Sequence, residues 1–180
     1  ADCSQNLSRY PIAITRSLPQ ARKWLQENAR GTERYGLVAS AKAHRLKPLG
    51  LQMKAKIVAV NWFLEDRDDI RSSFAMEDAA SEFEVQGLEL DWVGVCWDAN
   101  LRYQDGAWAY HEFRGPKWTT VRAVEKKRHL TNAYRVLLTR ARQGLVVVVP
   151  EGSDDDRTRC PEFYDGTYSF LCKCGFSPID

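Results

Sequence analysis

The chain has 180 residues, 44% hydrophobic and 28% charged, and its 26 Lys and Arg nearly balance 24 Asp and Glu, leaving a net charge of +2. That describes one globular domain, 1–180, long enough to build a core. No apolar run approaches the roughly 18–20 residues of a membrane helix and no charged-then-apolar leader opens the chain, so no membrane partner is expected.

Pro11 to Thr15 is a short β-rich run, and Ser17 then stands as N-cap to a helix carrying Ala21, Trp24 and Leu25 at i, i+3, i+4. A second strand spans Tyr35 to Ala39 and leads into Ser40 to Arg45, read as a short helix before Pro48 and Gly50 break the pattern. Ile57 to Phe63 is apolar enough for a further strand or a buried loop. Leu90 to Trp97 is aromatic and β-branched with few charges, as in a central strand buried on both faces. Asp105-Gly106, between Tyr103 and Trp108, marks a hairpin inside an insertion at about 101–120. Leu130, Ala133, Tyr134, Leu137, Leu138 and Ala141 form one apolar helical stripe, Gly144 stands as its C-cap, and Leu145 to Pro150 reads as a buried parallel strand. Strands alternating with helices imply an α/β sandwich with a mostly parallel sheet, whose ligands sit beyond the carboxyl ends of the strands.

The small net charge conceals segregation. Residues 1–60 hold 11 basic and 3 acidic groups, 61–100 hold 2 and 11, 101–120 hold 3 and 2, 121–142 hold 7 and 1, and 143–180 hold 3 and 7. Two basic blocks flanking an acidic one form an anion site if they converge in space. The 5 cysteines (Cys3, Cys96, Cys160, Cys172, Cys174) are odd in number and scattered, which fits reduced thiols in a cytoplasmic protein. Cys172-Lys173-Cys174 lacks the usual two-residue zinc spacing and the histidines are only His44, His111 and His129, so no metal site is expected. A start at Ala1 rather than Met implies a piece of a longer polypeptide.

No lysine stands in a G-x-x-x-x-G-K-[ST] phosphate loop. Instead, Gln86-Gly87-Leu88-Glu89 precedes one strand and Leu137-Leu138-Thr139-Arg140-Ala141-Arg142 precedes another. These segments resemble motifs V and VI of superfamily-one helicases, the UvrD-like and RecD-like DNA motors. The whole chain resembles the C-terminal RecA-like half of a bacterial and phage branch of those ATPases that carries the label domain of unknown function. Arg34 to Ser40, Arg45-Leu46-Lys47-Pro48, Asn61-Trp62-Phe63-Leu64 and Tyr164-Asp165-Gly166-Thr167-Tyr168 add to the resemblance.

The resemblance implies a RecA-like three-layer sandwich that acts as one half of a nucleic-acid-dependent ATPase, helicase or translocase. The other half would be an N-terminal P-loop domain of the same polypeptide that binds ATP with Mg2+, and single-stranded DNA or RNA would be the track. Arg140 matches the arginine finger, whose planar, permanent charge suits phosphate oxygens. Arg45 matches the motif IV arginine, a second γ-phosphate contact. Gln86 and Gly87 match the pair beside the γ-phosphate and its water, and Glu89 the carboxylate that receives the ribose hydroxyls. Without cradle or metal ligands, the isolated chain is expected to be inactive. Motif V commonly carries a Thr two positions before a His and a basic or small residue after it; Ser81, Phe83 and Glu84 stand there instead.

Other readings remain open on the residues. Trp108, Tyr110 and Trp118 are stacking candidates for nucleic acid in the insertion. Asp68, Asp69, Glu82, Glu84 and Gln86 would serve a metal-dependent nuclease, and a docking or regulatory module would keep the fold without a motor.

Overall fold

Leu145 to Val149 offers no polar side chain to water, so the run is stable only between two other strands. In the computed structural model, which describes residues 10–51, 53 and 57–179, it finds that place. Cys3, Lys54 and Lys56 lie outside the described residues. The run belongs to β8 (Ala141–Val148), which pairs in parallel with β1 (Ile12–Thr15) on one side and β4 (Leu90–Cys96) on the other. With β2 (Tyr35–Ala39), β3 (Ala79–Ser81) and β9 (Ser177–Pro178), the sheet runs in the order β3-β2-β4-β8-β1-β9, and every pairing is parallel.

The two-residue period of the strands divides the core into two layers. Val93, Val95, Leu145 and Val147 meet α3 (Val124–Leu138) through Leu130, Tyr134 and Leu137, and α4 (Glu162–Lys173) through Tyr164 and Leu171. Trp92, Cys96, Val146 and Val148 turn the other way, onto Leu18, Ala21 and Leu25 of α1 (Leu18–Asn28). Ser17 caps α1 by accepting the Gln20 N–H, as expected. The product is an α/β sandwich of the RecA-like kind.

The insertion is a second, antiparallel sheet of β5 (Leu101–Gln104), β6 (Ala107–Arg114) and β7 (Lys117–Thr120). Asp105 and Gly106 turn β5 into β6 with φ of 52° and 77°, the two positive values of a type I′ turn. Trp97 anchors the insertion, donating its indole N–H to the Leu101 carbonyl at 2.7 Å and stacking on Tyr134 and Trp108.

Several expectations are corrected. Ser40 to Ala43 is a turn rather than the start of a helix: the Ser40 carbonyl and Oγ accept the Ala43 and Lys42 N–H groups. A 3-10 helix follows at His44–Leu49, with Pro48 inside it and Gly50 ending it in the left-handed region. Ile57 to Phe63 is neither strand nor buried loop but leads into α2 (Ala59–Leu64), where Trp62 is buried while Val60 and Leu64 face water. The helical stripe stops at Leu138; Ala141 opens β8 and Gly144 lies inside it, against Trp92 and Pro11. The ladder wins there because the Leu90 N–H takes the Arg140 carbonyl. α4, β3 and β9 were not expected. α4 carries Gly166 and several aromatics, poor helix formers, and β3 and β9 are too short to show a period.

Gly166 is where α4 lies directly on β5, since a Cβ there would strike the Tyr103 carbonyl oxygen. Ala is the better helix former by about 1 kcal/mol, yet Gly166→Ala is expected to destabilise the fold by about 1–3 kcal/mol, read from the urea midpoint. An unchanged or higher midpoint would show that the close approach is not required.

Candidate functional site

Because β3 and β4 are parallel, the chain leaving β3 at Ser81 has to cross the sheet face to restart at Leu90. Val85 pins this crossing to the core, and the Leu88 N–H closes its last turn on the Val85 carbonyl. Gly87 sits at φ 82° with open space where a side chain would begin, so its backbone is bare to an approaching group. Gln86 beside it is exposed.

The crossing ends against α3. The Leu90 N–H donates to the Arg140 carbonyl at 3.0 Å. The Arg140 guanidinium donates from Nε to the Val136 carbonyl at 3.2 Å and from Nη1 to the Leu88 carbonyl at 3.5 Å. Arg140 therefore lies past the end of α3, in the link to β8, rather than on the helical stripe. Glu89 follows, exposed, with Oε2 4.0 Å from Arg142 Nε, a surface pair that contributes little to stability. Gln86, Gly87, Glu89 and Arg140 thus gather at the amino edge of β4 and β8, not at the carboxyl ends where the sandwich alone placed a ligand.

Arg45 does not join them. It follows the carboxyl end of β2, where its N–H donates to Asp98 Oδ2 at 2.9 Å and its guanidinium is held by Asp156 at 2.6 Å. The strands between put the two arginines at opposite edges, roughly 20–25 Å apart at ~3.3 Å per residue. The basic blocks of the sequence therefore supply two separate places.

Around Asp98 the carboxyl edge holds a buried polar cluster that sequence reasoning passed over. Burial pushes the Asp98 carboxyl above its ordinary range, against the N–H groups of Arg45 and Ala99 and the Tyr164 hydroxyl. The Tyr134 hydroxyl donates to Asn100 Oδ1 at 2.6 Å and accepts the Asp98 N–H. Arg102 lies 3.6 Å from the Phe163 ring centre and donates to the Ala99 carbonyl, and burial lowers its guanidinium to about 10. The available sign was Asp98-Ala99-Asn100 directly after an apolar strand.

A groove of about 720 Å³ connects the two edges along the face of α3. Ser40 and Lys42 line its carboxyl end and Arg140 its amino end, with Gln86 and Gly87 on the wall made by the crossing. His111 of β6 also lines it, and burial together with Arg102 lowers its imidazole to about 4.

The aromatic candidates of the insertion and three of the carboxylates have partners within the chain. Trp108 packs on Trp97, Tyr103 and Phe170; Trp118 donates its indole N–H to the Thr158 carbonyl; Tyr110 shares a hydrogen bond with Thr131. Asp69 is taken by Arg71, Glu82 by the Ala41 N–H and Glu84 by the Ser81 N–H. Among the described residues no three His, Cys, Asp or Glu side chains are placed to hold a metal ion, and no helix is long and apolar enough to cross a membrane.

A family model described as the Schlafen group 3 DNA/RNA helicase domain matches residues 2–151. The chain belongs to that family. It is a helicase-like domain, and the Schlafen match covers both the crossing and the Arg140 link while stopping short of α4. No curated protein and no solved structure matches the chain significantly.

In this Schlafen-family domain His111 gives a pH signature. The unfolded chain takes up that proton near pH 6.5 and the folded chain only near 4, so stability should fall as pH drops through this window and gain nothing from His111 above it. Asp98, raised by burial, works in the opposite direction. Urea midpoints from pH 7.5 to 4 should therefore decline more steeply for wild type than for His111→Gln, and parallel profiles would show that His111 is not held neutral.

Proposed function

We propose that this chain is the C-terminal motor half of a superfamily-one-type, nucleic-acid-dependent ATPase. It would work against a P-loop-bearing RecA-like domain elsewhere in the same polypeptide. The observation that carries this reading is the meeting of two segments far apart in sequence. Gln86-Gly87-Leu88-Glu89 and Thr139-Arg140-Ala141 reach one edge of the sheet, tied by the Leu90 N–H to Arg140 carbonyl bond.

The donor set at this edge suits one end of a nucleotide triphosphate and no more. Arg140 offers a permanent positive charge, Gly87 a bare backbone, Gln86 an amide that both donates and accepts, and Glu89 an acceptor for hydroxyls. There is no phosphate loop here and no carboxylate set for Mg2+ among the described residues, so ATP and its magnesium would be held by the other half. The bound nucleotide supplies the phosphoryl group and the energy of its transfer. The residues of this chain contribute position and charge. Arg140 is anchored through the Val136 and Leu88 carbonyls and leaves guanidinium donors to face across a cleft, where they would stabilise charge on the transferring oxygens. Cleft closure and opening would then move single-stranded DNA or RNA. The family's helicase description and the RecA-like sheet support this reading. Arg45, bound to Asp156 at the other edge, is left out of the nucleotide set.

The isolated chain should hydrolyse no ATP. In the parent polypeptide, Arg140→Ala should lower the nucleic-acid-stimulated rate by roughly 10³ to 10⁵ with folding intact, and Arg140→Lys should not restore it. Turnover by the isolated chain, or an Arg140→Ala parent of undiminished rate, would overturn the proposal.

A further inference from the structure

The ladder between β4 and β8 breaks just inside the amino edge. Trp92 pairs with Gly144 but Leu90 pairs with Ala141, so β8 has an extra residue there, a bulge at Arg142 and Gln143 opposite Asp91. A regular parallel ladder carried back from Val93 and Leu145 would set Asp91 against Gln143 and give the Asp91 N–H the Arg142 carbonyl. Instead the Asp91 N–H turns to the Arg34 carbonyl at 2.9 Å, which also takes the Trp92 N–H at 3.1 Å. Leu90 then returns to β8 through the Arg140 carbonyl. Extra residues of this kind recur next to active sites, where they re-aim a side chain.

Side chains span the break. Gln143 Nε2 donates to Glu33 Oε1 at 2.8 Å and to Asp91 Oδ1 at 3.4 Å. The second oxygen of Asp91 accepts the Arg34 N–H at 2.8 Å, and that of Glu33 accepts the Trp92 indole N–H and the Arg30 N–H, each at 2.9 Å. One neutral amide thus bridges two carboxylates, which would repel each other without a donor between them. The Trp92 ring occupies the space where a Cβ on Gly144 would sit, closing the far end of the bulge.

We propose that Gln143, clamped between Glu33 and Asp91, is a positioning residue for Arg140: the clamp holds the bulge at the start of β8 and so fixes the direction in which the Arg140 guanidinium leaves the edge. This rests on the reading of Arg140 as the residue that faces the transferring phosphate. Gln143 acts through the backbone of β8, three residues on from Arg140. A donor displaced by about 1 Å loses much of its effect on the charge it faces. ATP itself is held by the other half in that reading, so loss of the clamp falls on turnover rather than on affinity.

Two measurements test it. On this chain, amide hydrogen exchange at Leu90 reads the bond to Arg140 directly. Trp97, whose N–H takes the Val148 carbonyl at 2.8 Å at the other end of the pair, is the control. Gln143→Met, which keeps the length and removes the donor, and Glu33→Gln should each speed Leu90 exchange about tenfold or more while Trp97 is unchanged. In the parent polypeptide the same variants should lower kcat about tenfold to a hundredfold, with KM for ATP within about twofold of wild type. Gln143→Met should cost nothing more in an Arg140→Ala background. Gln143→Lys, which keeps a donor between the two carboxylates, should retain both the Leu90 protection and kcat. Unchanged Leu90 exchange, exchange that speeds equally at Trp97, a wild-type kcat in either variant, or a loss that multiplies with that of Arg140→Ala would each overturn the proposal. A parent that needs Arg140 but not Gln143 leaves the proposed function standing, whereas one that needs neither overturns both.

Discussion

The parallel pairing of β4 with β8 is the constraint on which the rest of the molecule depends. It joins two apolar strands that water would not tolerate singly, and its alternation sends one set of side chains to α1 and the other to α3 and α4. It also begins with the Leu90 N–H on the Arg140 carbonyl. That bond ends α3, sets the exit of the crossing from β3, and brings Gly87 and Arg140 to one edge. Stability and the geometry of the amino edge thus share a cause, so Leu90 and Arg140 hold their backbone positions whatever their side chains do.

Electrostatics then separates two kinds of arginine. Arg140 is held by neutral carbonyls, which fix its position without neutralising its charge. Arg45 is held by Asp156 and lies over the Phe113 ring, and Arg102 is buried between aromatic faces. The first arrangement leaves a cation with its field directed outward; the second uses cations to tie the insertion and the carboxyl-edge loops to the sheet.

Where apolar pattern decided the outcome, the fold was legible in the residues. Tyr35 to Ala39, Leu90 to Cys96 and the Asp105-Gly106 turn fall where the pattern places them, because burial and turn chemistry act locally. At the end of α3 and in α2 distant partners override local preference, Arg140 being claimed by Leu90 and Trp62 by the space over Gly36, while Ser40 delays its helix by a local turn closed on its own carbonyl and hydroxyl. Gln86, Gly87, Glu89 and Arg140 stand out in the sequence by their resemblance to helicase motifs, and the strand topology explains why they meet. Arg45 joins them in the sequence only by its resemblance to motif IV; it follows β2 and so stands at a carboxyl end, whereas Arg140 precedes β8 and stands at an amino end. Asp98, Asn100 and Tyr134 were missed because a buried hydrogen-bond network has no period to detect.

The unit of family resemblance and the unit of folding differ in this chain. The Schlafen match ends at residue 151, yet α4 lies beyond it, inserts Tyr164 and Leu171 into the core, and stacks Phe170 on Tyr103 at 3.9 Å. A fragment cut at the edge of the match would keep every residue of the amino-edge set. It would also bare the aromatic side of the insertion and strip Asp98 of the Tyr164 hydroxyl. Solubility of such a fragment, rather than its chemistry, is what this boundary governs.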